Sequence, residues 1–535
     1  MTLDRRLAGV LLHPTSLPGA YGIGDLGPEC IKFLDWMKEA GIGIWQVLPL
    51  GPTGFADSPY QCFSAFAGNT FLISPDLLKK EGLLTAADLK GVSFPEDKVD
   101  YGPVIEWKNA LLRKTYDRYQ AGRAKGKFDD VAKRLDAWRK KKMTKVWLED
   151  YALFIALKDA HNGRVWNTWA KGLRVCDEAA VAKARKEHAE QIEYQVFLQF
   201  LFFDQWETVR AAARERNIAI VGDMPIYVAF DSADTWANQN LFQIDKKGNP
   251  KAVAGVPPDY FSETGQLWGN PLYDWDLMDK NGYKWWITRM KGILELVDVI
   301  RLDHFRGFEA YWSVPFGEET AINGKWIPGP GNKLFKALQK GVGKDLPIIA
   351  ENLGVITAEV EALRHEFNLP GMKVLQFGWT AASTKPPVPD PGCDFQPHKV
   401  EVTSTVYTGT HDNNTTAGWW KDDATPSDKA LFKAYFDTDG KQAHETLIRA
   451  ALASVGNTTI IPMQDFLGLG GEARMNFPGR EAGNWQWRLK KGHASKALAK
   501  KILNQVLLFE RHPEQKALAE GFIKDQSTEE RARKP

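Results

Sequence analysis

Short apolar, β-branched runs that stop at a glycine, a proline or a polar cluster recur along this chain. They read AGVLLHP, IGIWQVLP, IAIVGDMPIYV, VDVIRLDHF, LPIIAENLG, MKVLQFG, STVYTGTHDN and TTIIPMQDF, eight in all. None alternates apolar with polar positions over its length, which is expected of strands covered on both faces, as in parallel sheets. Helical patterns lie between them. In PECIKFLDWMKEAG, residues Ile31, Leu34 and Met37 recur at about one turn and Gly41 supplies the stop. TAEVEALRHEFNLPG repeats the design. Strand and helix alternating eight times predict an α/β fold, a (β/α)8 TIM barrel, in a single catalytic domain over residues 1–535.

The spacing of the runs is uneven. Between the second and the third lie roughly 170 residues, far more than one crossover needs. An inserted subdomain over 51–215 is therefore predicted, mostly helical from about residue 105. Its stretch RAKGKFDDVAKRLDAWRKKKMTK is basic, but acidic and apolar residues interleave at helical spacing, the pattern of a solvated face and not of a nucleic-acid patch. Residues 228–290, with GVPPDYFSETGQLWGNPLYDW, predict an ordered loop over the barrel mouth, and KPPVPDPGC a shorter proline-stiffened excursion.

Polar residues gather where the apolar runs end: Asp223, Asp303, Glu351, His411 with Asp412, and Gln464 with Asp465. In (β/α)8 barrels the C-terminal strand ends carry the chemistry. Helix N-caps account for one such aspartate but not for the set. VDVIRLDHFRGF is the densest case, with Asp303 between Arg301, His304 and Arg306.

Composition narrows the substrate. Lys plus Arg number 69 and Asp plus Glu 67, so no overall field favours nucleic acid, an anionic membrane or an acidic partner, and an uncharged substrate is expected. Cys30, Cys62, Cys176 and Cys393 are too scattered for a zinc site or a disulfide framework, and no stretch of 18 apolar residues occurs. A soluble protein of a reducing compartment, the cytoplasm, is expected. Trp occurs 20 times, and several stand in polar, Gly-rich contexts such as TGQLWGNP and NNTTAGWW. Flat apolar faces on polar loops suit sugar rings, although large rings also staple long loops to a core.

Three strand-end carboxylates with no metal-ligand constellation point to glycosidic bond cleavage, which needs a carboxylate nucleophile and a carboxylic acid roughly 5 Å apart when configuration is retained. Asp303, flanked by Arg301 and His304, is expected to stay ionised and attack. Glu351, among amides and apolar residues in IIAENLG, is expected to hold its proton as the acid. Asp412 in GTHDNN remains to hydrogen-bond sugar hydroxyls and hold a distorted ring. A structural ion-pair network would explain one such pair, not all three carboxylates. The aromatic loop around Tyr260, Phe261 and Trp268 is placed to exclude water from an acceptor site. No cofactor or metal is expected.

The longest signatures are LLHPTSLPGAYGIGDLG, SPYQCFSAFAGN, GDMPIYVAFDSADTWAN, GVPPDYFSETGQLWGNP, VIRLDHFRGF, AENLG, THDNNT and MNFPGREAGNWQWRL. Through them, from about residue 8 to 510, the chain resembles the 4-alpha-glucanotransferases called amylomaltases, glycoside hydrolase family 77. The resemblance implies a maltooligosaccharide or other α-1,4-glucan substrate, with Asp303 as nucleophile, Glu351 as general acid/base and Asp412 as transition-state stabiliser. It further implies Arg301 and His411 as ligands to nucleophile and sugar, and Asp223 at the barrel mouth. Tyr60, Tyr101, Trp268, Phe377 and Asn476 are then sugar-contacting positions, with His304, Tyr260 and Phe261 at the substrate site. DMPIYV replaces the Asn-His ending that α-amylases carry after the third strand, and no calcium loop is evident, so calcium dependence is not expected. A plastid stroma, after loss of a transit peptide, fits as well as a bacterial cytosol. An α-glucan hydrolase is the alternative enzyme, a glucan-binding protein with a dead site the alternative outside catalysis, and a phosphate-handling barrel lacks its Gly-rich loop.

Overall fold

The computed structural model describes residues 5–258, 262–380 and 388–518. Tyr260, Phe261, the first part of KPPVPDPGC and the charged end KDQSTEERARKP lie outside the described residues.

All eight apolar runs form strands of one parallel sheet: β1 (Leu7–Leu11), β2 (Ile44–Gln46), β3 (Ala219–Met224), β4 (Val299–Leu302), β5 (Ile348–Ala350), β6 (Met372–Val374), β7 (Thr405–Tyr407) and β8 (Thr458–Pro462). Their order, β6-β7-β8-β1-β2-β3-β4-β5, makes a (β/α)8 barrel. The seam between β5 and β6 carries the Ala350 N–H to Pro370 carbonyl bond, 2.8 Å. The Asn352 side chain closes it further by accepting from Met372 N–H at 2.7 Å.

Period-two alternation sorts each strand into an inner and an outer face. Leu7, Ile44, Val221, Val299, Ile349, Met372, Tyr407 and Ile460 fill the barrel interior. Ala8, Val10, Ile220, Ile300, Leu302, Ile348 and Ala350 face the surrounding helices. Gly9 belongs to the inner face, where a Cβ would stand 2.9 Å from that of Ile44 and 3.0 Å from Ile460 Cγ1. Only a residue without a side chain fits there.

The helix read from PECIKFLDWMKEAG spans Pro28–Glu39, opens on its proline and ends before Gly41 at φ +68°. Its companion spans Ala358–Glu366. Alternation is not complete, however. Between β6 and β7 the described residues hold no α-helix, their helical turns being 3-10 turns at Leu375–Trp379 and Pro397–Lys399, and prolines at 389, 391 and 397 disfavour a regular helix there.

Between β2 and β3 run long helices, including Tyr101–Arg123, Thr144–Ala160 and Ala189–Glu215. Their basic residues meet acidic neighbours: Arg139 pairs with Glu149 and Glu193, and Arg134 with Glu81 and Asp130. These arginines are thus paired within the excursion.

Residues 228–290 are more ordered than a loop. Ala252–Val256 and Gln266–Pro271 join Ala310–Pro315 and Lys325–Pro328 in a four-stranded antiparallel sheet. Glycine and proline in AVAGV and QLWGNP hide these strands from a local pattern, and the partner strand at 310–315 arrives from beyond β4.

Candidate active site

The barrel's inner face explains why charge is concentrated where β4 stops. Val299, Arg301 and Asp303 alternate onto one side of the strand, so the apolar interior gives way to a guanidinium and then to a carboxylate at the mouth. On β3, Asp223 stands directly opposite Arg301 in register. Arg301 Nη1 donates to Asp223 Oδ1 and Oδ2 at 2.9 and 2.8 Å, and to Asp303 Oδ1 at 2.8 Å. Arg301 and Asp223 are almost wholly buried. Burial opposes charge on the guanidinium, but Asp223 and then Asp303 more than compensate and raise its pKa well above the usual value. A permanent cation therefore lies against both carboxylates.

Glu351, one step past β5, is held by its neighbour strand's turn. Its Oε2 accepts the N–H of His304 at 2.7 Å, and its Oε1 accepts that of Leu353 at 2.8 Å. Burial raises its pKa from 4.5 to about 7, with Asp303 adding to the rise while Arg301 and the two amides oppose it. The carboxyl group is therefore poised between its two forms near neutrality.

His304 departs from expectation. Its place beside Asp303 suggests a cation, yet burial lowers its pKa to about 4, with Arg306 contributing and Asp303 opposing. The ring is neutral at pH 7, and Arg301 alone of the two supplies the charge. His304 sits at φ +50°, ψ +51°, a left-handed corner that lets its N–H turn to Glu351 while its ring packs edge-on against Trp268, 4.8 Å between centroids.

The opposite wall comes from β7 and from the distant excursions. Tyr60 donates its hydroxyl to Asp223 Oδ2 at 2.9 Å and stacks on His411 at 5.1 Å and 16°. His411 Nε2 lies 3.3 Å from Asp412 Oδ2. Asn476 donates to Asp412 Oδ1 at 2.6 Å, and its own N–H bonds the His411 carbonyl. The Asp412 side chain is about half exposed at the mouth.

Asp223, Arg301, Asp303, Glu351, His304, Trp268, Tyr60, His411, Asp412 and Asn476 are thus one connected group. Tyr101 is buried behind it and donates its hydroxyl to the Trp485 carbonyl at 2.9 Å. Phe377, after β6, packs edge-on against Phe395 and against the barrel interior. Asp465, another strand-end acid, is spent on Thr408 and Thr416 and stays out of the group. Among the described residues no group of three or more His, Cys, Asp or Glu is arranged to hold a metal ion.

Two contributors escaped sequence reasoning. Trp485 packs against both Tyr60 and His411, at 5.8 and 6.0 Å. Arg474 donates to the carbonyls of Asp412 and Asn476, at 2.7 Å each. Trp485 lies within NFPGREAGNWQWRL and Arg474 just before it, where no strand end marks them; Trp485 at φ +63° is a backbone outlier for a bulky residue, which only coordinates reveal.

Comparison with known proteins shows the family. A family model described as 4-alpha-glucanotransferase matches residues 12–494. The 4-alpha-glucanotransferase of Thermus thermophilus is 48% identical over 500 residues, covering 92% of this chain and 96% of that protein. The chloroplastic/amyloplastic 4-alpha-glucanotransferase of Solanum tuberosum is 45% identical, over 91% of this chain and 82% of its own length. The amylomaltase of Streptococcus agalactiae, solved in complex with acarbose, superposes with a TM-score of 0.89 at 37% identity, covering 95% of this chain and 100% of that one. The chain belongs to the 4-alpha-glucanotransferase family, glycoside hydrolase family 77.

Proposed function

We propose that this 4-alpha-glucanotransferase works by double displacement on α-1,4-glucans, with Asp303 as nucleophile, Glu351 as general acid/base and Asp412 as transition-state stabiliser. The observation that carries the proposal is Glu351, buried with a pKa of about 7 on the strand beside the Arg301-paired Asp303. An Asp303 oxygen attacks the anomeric carbon of a bound maltooligosaccharide while the glycosidic C–O bond breaks. Glu351 gives its proton to the departing oxygen. Glu351, now a carboxylate, takes the proton of an acceptor's 4-hydroxyl, and that oxygen displaces Asp303 to form a new α-1,4 bond with net retention.

Choosing a sugar over roughly 55 M water requires a well-shaped, dry acceptor site. Trp268, braced by His304 on one side of the mouth, and Tyr60 stacked on His411 on the other, are suited to such walls; Tyr260 and Phe261 belong to the same reading. Residues 51–215 and 228–290 are excursions of one catalytic domain that shape the glucan's path. Tyr101, whose hydroxyl bonds the Trp485 carbonyl, and Phe377, partly exposed after β6, belong to the same reading as sugar-contacting positions. No helix among the described residues is long and apolar enough to cross a membrane, and the four cysteines are free thiols. Those thiols support a reducing compartment, a cytosol or, as for the potato relative, a plastid.

The test is twofold. Maltotriose incubated with the enzyme should give glucose plus a ladder of longer chains, whereas a hydrolase gives shorter chains only. The Glu351→Gln variant given α-glucosyl fluoride, whose leaving group needs no proton, should accumulate a glucosyl adduct on the peptide holding Asp303. An adduct elsewhere, or none, refutes the assignment.

A further inference from the structure

Asp412 belongs to no strand or helix. It falls between the end of β7 at Tyr407 and the helical turn Thr416–Gly418, and its side chain is about half exposed. A carboxylate on such a loop swings freely unless neighbours fix it, and a small error in its aim is costly for catalysis.

The neighbours come from the segment after β8. Arg474 Nη2 donates to the Asp412 carbonyl from 62 residues away, and its Nε donates to the Asn476 carbonyl, at 2.7 Å each. Asn476 in turn donates its amide to Asp412 Oδ1 at 2.6 Å and its backbone N–H to the His411 carbonyl at 3.1 Å. Arg474, Asn476 and Asp412 therefore close a triangle. One planar guanidinium holds the peptide that carries Asp412 and also the peptide that carries the amide gripping its carboxylate. A plain staple of the rim needs only one of these bonds, whereas the pair fixes both ends of the contact between Asn476 and Asp412.

The clamp is itself braced. The guanidinium lies over the Phe477 ring, 4.6 Å from its centroid, a favourable place for a cation. Burial lowers the pKa of Arg474, with Asp423 and then Asp412 opposing and Arg480 contributing, but a guanidinium keeps its charge in proteins. Both bonds are thus charge-assisted.

We propose that Arg474 is a positioning residue for Asp412, its planar fork setting the Asp412 and Asn476 peptides in one arrangement and so aiming the Asp412 carboxylate at the sugar in the transition state. The inference rests on Asp412 as transition-state stabiliser. The glucan's ground-state contacts lie elsewhere in the site, so loss of the fork falls on kcat.

Arg474→Lys keeps the charge and the aliphatic stem, but a single ammonium does not reproduce the fork. It should melt like the wild type, and kcat for maltotriose disproportionation, measured well below the melting temperature, should fall about tenfold with KM within about threefold. Arg474→Ala should lose about a hundredfold. Combined with Asn476→Ala, Arg474→Lys should cost less than the product of the two single losses, because both disable the same carboxylate. Wild-type kcat in Arg474→Lys, a loss confined to KM, or fully multiplicative losses in the double variant overturn the proposal. Should Arg474→Ala not fold, Arg474→Lys and the double variant decide. Asp412→Asn separates the two readings: wild-type kcat there refutes the assignment of Asp412, whereas a slow Asp412→Asn beside an unimpaired Arg474→Lys refutes only the role of Arg474.

Discussion

The N–H of His304 donates to Oε2 of Glu351 across 2.7 Å, joining the turn that follows the Asp303 strand to the acid on the next strand. The left-handed corner at His304, φ +50° and ψ +51°, turns the chain immediately after this donor. Position and protonation of Glu351 thus depend on the same turn that carries Asp303.

The raised pKa of Glu351 has a definite sign for stability. Between about pH 4.5 and 7 the folded protein holds this proton and the unfolded chain has released it. Stability from this group is therefore greatest below 4.5 and declines as pH rises through 7, by about 3 kcal/mol in total. Glu351→Gln should be inactive in transfer and should flatten that part of the profile. Denaturant unfolding of both proteins at pH 4.5 and 7.5 measures it; parallel profiles would contradict the buried, protonated carboxyl. In the wild type, kcat/KM should fall above about pH 7 as the acid form is lost.

Trp268→Ala should raise hydrolysis relative to transfer severalfold, because removing the ring packed on His304 admits water beside the acceptor site. Reducing ends released and chain-length distribution from maltotriose, scored together, give the ratio. An unchanged ratio assigns the ring a purely structural part.

Asn476→Ala should lower kcat about tenfold with little change in stability, since its 2.6 Å bond goes to a half-exposed carboxylate and hydrogen bonds to charged groups contribute roughly 1.5–3 kcal/mol. Steady-state disproportionation and a thermal melt distinguish this from unfolding.

At position 304 the backbone should matter as much as the ring. Asparagine tolerates a φ of +50° and valine does not. His304→Asn should fold like the wild type and keep its pH profile, because a ring with a pKa of about 4 does not titrate in the working range. His304→Val should be destabilised by about 1–3 kcal/mol. Equal melting temperatures for the two variants would contradict the strain argument.

The amino-acid sequence by itself determined the barrel and the address of its chemistry. Eight apolar runs covered on both faces have few other stable arrangements, and a polar residue at such a run's end can only face the mouth or the next helix cap. Asp303, Glu351 and Asp412 were legible for that reason. The tertiary structure decided their surroundings. Asp223 meets Arg301 from 78 residues away through sheet register, Tyr60 reaches His411 from the excursion after β2, and Asn476 and Trp485 come from beyond β8. Loops of such length carry no periodicity that fixes where their ends lie. The second sheet was hidden likewise, since its strands are stabilised by cross-strand partners more than by their own composition. The same holds for His304: adjacency in sequence suggests a cation, but burial, which only the packed structure sets, removes the proton.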